Sequence, residues 1–150
     1  MSIFHPELVK IDFQVQDKED CLRAIARSFT DFGLIKNAEH FYEQMMKRER
    51  ILSTGIGRGI AIPHLRDEAI SALKVGIYLL DNEIDFDSLD RNKVKLVICF
   101  TIPAEDGNDY MKVLQKVSEF LRNENNRLMV FNCKEREELL NIFRRFENEK

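Results

Sequence analysis

The stretch STGIGRGIAIPH, residues 53–64, sets three glycines within five residues ahead of a short apolar run that ends in Pro63-His64. Glycine serves where the backbone needs unusual dihedrals or where something must come close to it. A nucleotide cradle is the first reading to test, and it fails. Gly55-x-Gly57-x-Gly59 is not G-x-G-x-x-G, and no G-K-[ST] follows it. A dinucleotide fingerprint also follows a strand and opens a helix, whereas this loop follows a helical pattern and opens a strand. Two readings remain. One is a tight helix-to-strand turn; the other is an anion-binding bay, with the Ser53 and Thr54 hydroxyls beside flexible backbone amides. Arg48 and Arg50, just upstream, favour the bay, because a guanidinium grips phosphate through a planar fork of donors.

Upstream of this loop, Val9, Ile11, Phe13 and Val15 alternate with polar residues and predict a half-buried strand. Asp17 caps a first helix, with Asp20 three residues on; Leu22, Ile25, Phe29 and Phe32 line its apolar face and Gly33 closes it. Asn37 opens a second helix whose Phe41, Tyr42, Met45 and Met46 share a face, and which ends among the charges of residues 47–50. Residues 60–63 form a short strand. Val75, Ile77 and Leu79 alternate in the next one, and VKLVICFTI, residues 94–102, is apolar enough for a central strand buried on both faces. Met111, Leu114, Val117 and Leu121 mark a third helix. Asn132 and Glu135 make a capping box ahead of a last helix that carries Leu139, Leu140, Phe143 and Phe146. Residues 128–131 fit strand or helix equally. Helices and strands interleave without repeats or Pro/Ser-rich linkers, which implies one α/β domain with helices covering a sheet.

Composition narrows the function classes. A 150-residue chain with 44% hydrophobic and 33% charged residues suits a single soluble domain. A net charge of −3 with no Lys/Arg run predicts no general attraction for nucleic acid. Nothing approaches the roughly 18 apolar residues of a membrane span, and the start lacks a leader pattern. Cys21, Cys99 and Cys133 are odd in number and widely spaced, as expected of reduced core thiols in the cytoplasm.

His64 then needs a role that a single imidazole can fill. No second His, Cys pair or carboxylate stands at metal-ligand spacing nearby, and no nucleophile elbow supports a Ser-His-Asp site. Nucleophilic attack on a phosphoryl group, giving phosphohistidine, needs only a positioned neutral ring and donors for three phosphate oxygens. An arginine, two hydroxyls and loop amides supply those donors with no metal or other cofactor.

With Arg48-Glu49, Ser53-Thr54-Gly55-Ile56-Gly57 and Gly59-Ile60-Ala61-Ile62-Pro63-His64 in view, the chain resembles the enzyme IIA domain of the fructose/mannitol class of the phosphoenolpyruvate-dependent sugar phosphotransferase system. The likeness runs from about residue 6 to the end. It takes in Asp17-Lys18-Glu19, Phe86-Asp87-x-x-Asp90 and Pro103-Ala104-Glu105. The resemblance implies a single domain over residues 1–150 with a core at about 6–148, built as a mixed β-sheet with helices on both faces. It implies a cytoplasmic phosphotransferase that takes phosphate from the phosphocarrier protein HPr and passes it to a IIB component, which phosphorylates sugar entering through membrane IIC. His64 matches the phosphorylated histidine, Arg48 the arginine that assists it, and Ser53, Thr54 and Gly55 the loop beside the phosphate.

The sequence departs from the family pattern at one place. Family members carry a second active-site histidine early in the helix after Pro-Ala-Glu, and alignment puts Tyr110 there. A phenol donates a hydrogen bond but carries no positive charge and is a poor proton acceptor at neutral pH. Arg66, two residues after His64, adds a cation near the phosphate. His5 and His40 lie outside the matching motifs. A regulatory phosphohistidine protein of the nitrogen-related type is the alternative to a transport component, and Tyr110 favours it.

Overall fold

The computed structural model describes residues 2–148. Eleven elements follow one another: β1 (Phe4–Phe13), α1 (Lys18–Phe32), α2 (Ala38–Ile51), β2 (Gly55–Gly57), β3 (Ile60–Ala61), β4 (His64–Asp67), β5 (Lys74–Ile84), β6 (Val94–Pro103), α3 (Asp109–Arg122), α4 (Glu124–Phe131) and α5 (Arg136–Asn148). The strands form one mixed sheet in the order β1-β5-β6-β3-β2, with β4 also on β6. β5 and β6 are antiparallel, β1 runs parallel to β5, and β3 and β4 lie in tandem, parallel to β6.

Helices cover both faces of the sheet. Alternate residues of the central strands therefore enter different cores. Tyr78, Leu80, Val97 and Cys99 pack under α1 and α2, whereas Ile77, Leu79, Leu96, Ile98 and Phe100 pack under α3, α4 and α5. β6 is buried on both sides, as its unbroken apolar run predicts. Each such side chain contributes about 1.5–3 kcal/mol. In β5 the expected alternation understates the burial: Tyr78 is fully buried, and its hydroxyl is satisfied by Ser28 Oγ at 2.6 Å.

Capping residues set the helix ends. Asp17 accepts from the Asp20 amide while Asp20 accepts from the Gln16 amide, a reciprocal box at the start of α1. Asn37 caps α2 through the His40 amide. Three sequence expectations shift. β1 starts at Phe4, and Asp12 at φ 52° bulges it, so Val9 and Ile11 face the α5 side while Phe13 turns to Tyr78 on the α1 side. α3 buries Val113, Val117 and Leu121 and leaves Met111 exposed. Residues 128–131 belong to α4, Asn132 ends that helix instead of opening a box for the next, and ahead of α5 Glu138 Oε1 accepts the Glu135 amide at 3.1 Å.

The two ends of the described chain meet. Glu147 of α5 accepts from the Ile3 and Phe4 amides, and the Ser2 hydroxyl lies 3.4 Å from its carboxylate.

Candidate functional site

His64 opens β4 rather than closing the strand before it. Ile60 pairs with Leu96 and His64 with Phe100 in one unbroken register, but the ladder stops at Ile62-Pro63. Proline has no N–H for the ladder, and the pause frees both polar groups of Ile62. Its amide donates to Thr54 O at 3.0 Å, and its carbonyl lies 3.2 Å from His64 Nδ1. A carbonyl only accepts, so Nδ1 is the donor in this contact, and in the neutral ring the lone pair is on Nε2. The ring is half-buried.

Partners in a parallel ladder point to the same side of the sheet, so His64, opposite Phe100, and Arg66, opposite Ile102, both face the α3 layer. Tyr110, in the first turn of α3, packs on that same core. The Arg66 guanidinium sits 5.1 Å from the Tyr110 ring centre, and its Nη1 donates to Ala104 O and Asp106 O at 3.2 and 2.5 Å. The Tyr110 amide donates to Asp106 at 3.4 Å. Arg66 and Tyr110 are thus brought together, with the 104–106 loop strapped to β4. His40 sits on the opposite side of the sheet, 3.7 Å from Asp67, and His5 packs against Phe32. Neither replaces an imidazole at Tyr110.

The loop ahead of the strand carries its own internal bonding. Ser53 Oγ donates to Phe86 O at 2.6 Å and accepts the Gly55 amide at 3.0 Å. The Thr54 amide donates to Glu49 Oε1 at 3.0 Å. Both amides of the expected anion bay are therefore engaged within the chain, as is the Ser53 proton. Thr54 Oγ1 is buried and has no hydrogen-bond partner among the described residues. Arg48, in the last turn of α2, donates from Nη1 to Leu52 O at 2.9 Å, which leaves its other donors for a ligand.

The glycines have specific structural tasks. Gly57 and Gly59, at φ 96° and 86°, make the β2–β3 turn with Arg58 between them at φ 60°. Gly55 has no room for a side chain: a Cβ there would lie 2.2 Å from Ser88 Oγ. Asp90 ties this turn down by accepting the Arg58 amide at 2.8 Å. That bond and those from Asn92 hold its carboxyl below the usual aspartate range.

Glu49 was not among the site residues read from the sequence, although a signal was present. It continues the Tyr42, Met45, Met46 face of α2, where a carboxylate is out of place, and its side chain is 2% exposed. Lys18 Nζ pairs with it at 2.9 Å. Among the described residues no cluster of three His, Cys, Asp or Glu could hold a metal, and no helix is long and apolar enough to cross a membrane. The three cysteines are free and buried.

Residues 2–146 match the family described as phosphoenolpyruvate-dependent sugar phosphotransferase system, EIIA 2. The fructose-specific EIIA component of Haloferax volcanii is 29% identical over 118 residues, 79% of this chain and 77% of that protein. A nitrogen regulatory protein of Klebsiella oxytoca is 30% identical over 122 residues, 80% of this chain and 74% of its own. In fold, the chain matches the mannitol enzyme IIA of Escherichia coli, solved in complex with phosphorylated enzyme IIB, with a TM-score of 0.79 at 18% identity, over 95% of this chain and 98% of that one. A mixed sheet between two helical layers, with the IPH histidine at the start of a strand beside β6, goes with that match: this chain belongs to the EIIA type 2 domains of the phosphoenolpyruvate-dependent sugar phosphotransferase system.

Proposed function

We propose that the protein is a phosphoryl carrier that takes phosphate from phospho-HPr on Nε2 of His64 and hands it to a IIB component of a sugar transporter. The observation that carries this reading is the His64 Nδ1 contact with Ile62 O, which in the neutral ring assigns the proton to Nδ1 and the nucleophilic lone pair to Nε2. In the transfer, the Nε2 lone pair forms the new N–P bond as the donor's P–N bond breaks. The donor leaves as a neutral imidazole, and His64 keeps its Nδ1 proton, so no proton crosses. Positive charge that develops on the ring is met by the Ile62 carbonyl. Negative charge on the three phosphoryl oxygens falls to Arg48, whose free donors lie at the end of α2, and to Tyr110, whose hydroxyl donates a hydrogen bond in place of a second imidazole. Ser53, Thr54 and Gly55 contribute by shaping the loop rather than through their amides or the buried Thr54 hydroxyl. Arg66 acts by holding Tyr110 and the 104–106 loop. Such a carrier works in the cytoplasm, where HPr and IIB meet it, without a metal. The Haloferax relative favours fructose or a related sugar as the transported cargo.

The resemblance to a nitrogen regulatory protein supports a second reading, in which phosphorylation of His64 sets partner binding and feeds no transporter. One experiment tests both. Incubation with phosphoenolpyruvate, enzyme I and HPr should place an acid-labile phosphate on the wild-type protein and none on His64→Ala. Equal labelling of the variant would overturn the assignment. Chase with candidate IIB proteins then separates the readings: onward transfer supports transport, and a retained phosphate that alters partner binding supports regulation.

A further inference from the structure

We propose that Glu49 is a positioning residue for His64, held in place by Lys18 as its counter-charge; the inference rests on the reading of His64 as the phosphate acceptor. A continuous path joins them. Glu49 Oε1 accepts the Thr54 amide at 3.0 Å, Thr54 O accepts the Ile62 amide at 3.0 Å, and Ile62 O lies 3.2 Å from His64 Nδ1. Each step engages a backbone group of the loop or strand, so a shift at Glu49 passes through the loop to the ring. Arg48 shares the same last turn of α2, and anchoring its neighbour fixes the direction from which its guanidinium leaves the helix.

Stability alone does not explain a carboxylate here. Burying an ion pair is costly, and two apolar side chains of similar size pack as well or better. What an apolar pair cannot do is capture a backbone N–H just past a helix end. The surroundings are built to pair Glu49 and hold it still. Lys18 Nζ lies 2.9 Å from Glu49 Oε1, donates to Phe86 O at 3.2 Å and sits 4.8 Å from the Phe86 ring centre, with Asp87 at 3.7 Å. Phe86 O also accepts Ser53 Oγ at 2.6 Å, so the same cation steadies both sides of the loop. The path thus begins at the first residue of α1 and ends on the nucleophile.

The test compares two neutral replacements of similar volume. Glu49→Gln keeps a carbonyl that can accept the Thr54 amide, and Glu49→Leu does not; Lys18 retains Phe86 O and Asp87 in both. At saturating phospho-HPr, Glu49→Gln should transfer phosphate within about threefold of wild type. Glu49→Leu should be slower by about ten- to a hundredfold, the scale of a small misplacement of a reacting group. Donor KM should stay unchanged, since the Glu49 side chain is buried. Nitrogen NMR of the His64 ring should show the Nδ1–H tautomer dominant in wild type and Glu49→Gln and mixed in Glu49→Leu. If Glu49→Leu does not fold, Lys18→Met/Glu49→Leu, which removes both charges, takes its place in each measurement. Equal transfer rates and equal tautomer populations for the Gln and Leu variants would overturn the proposal. The tautomer measurement needs no donor. A wild-type protein that takes no phosphate on His64 would therefore overturn the functional reading, while the link from Glu49 to the ring would still be read.

Discussion

Gly55→Ala should destabilise the protein through one identifiable collision. A methyl at residue 55 would lie 2.2 Å from Ser88 Oγ, 3.0 Å from its Cβ and 3.1 Å from its Cα. The hydroxyl is the nearest obstacle, but the backbone behind it is tight as well, and Ser88 is only 6% exposed. The 86–90 segment cannot simply swing away. Ser53 Oγ holds Phe86 O on one side and Asp90 holds the Arg58 amide on the other. Overpacking of this kind costs about 1–3 kcal/mol, and at this chain length each kcal/mol lowers Tm by about 2–4 °C. Ser88→Ala alone should be neutral or slightly stabilising, because its hydroxyl has no hydrogen-bond partner among the described residues. Combined with Gly55→Ala it should recover about half the loss, since the 2.2 Å contact goes and the contacts at 3.0 and 3.1 Å remain. The four proteins, compared by urea and thermal unfolding, make a double-mutant cycle with a coupling of about 1 kcal/mol. A Gly55→Ala protein as stable as wild type, or a cycle with no coupling, would refute the idea that the 86–90 segment is pressed onto β2.

Two further outcomes concern pH. Burial pushes the Cys21 thiol up to about 12, with Asp20 and Asp17 adding to it, and raises Cys99 and the Tyr78 phenol as well. The unfolded chain therefore loses these protons first, and stability should fall as pH rises above about 9; a urea midpoint that stays level from about pH 8 to about pH 11 would contradict this. For Asp90 the sign is opposite. Its folded pKa lies below the unfolded one, so its contribution is present above the ordinary aspartate pKa and is lost as pH falls through the folded value. The Arg58 amide proton shift should follow Asp90 with a midpoint below the usual aspartate range, and a midpoint at or above that range would count against it.

Much of the architecture is legible in the residues because it depends on local periodicity. Residues 94–102 announce a strand buried on both faces, Asp17 and Asn37 announce helix starts, and the run into Pro63-His64 marks the histidine proposed as the phosphate acceptor. What escapes such reading depends on partners distant in the chain. The β1 bulge at Asp12 lets Phe13 reach Tyr78, so an apparently regular alternation changes sides. The exposed Met111 and buried Val113 show which face of α3 meets the sheet, which spacing alone does not fix. The glycine loop is the most instructive case. Its composition suits an anion bay, yet the Thr54 and Gly55 amides are engaged by Glu49 and Ser53, and Gly55 answers to Ser88, 33 positions later in the chain.

The meeting of the two ends at Glu147 has a consequence for chain architecture. With Ile3 and Glu147 in hydrogen-bond contact, the polypeptide leaves the domain at nearly the point where it arrives. Such a unit can be threaded into a longer polypeptide like a bead on a string, adding no span between the segments on either side. It also invites circular permutation: a short linker across that junction, with new ends opened in an exposed loop, should preserve every strand pairing that holds His64 in place.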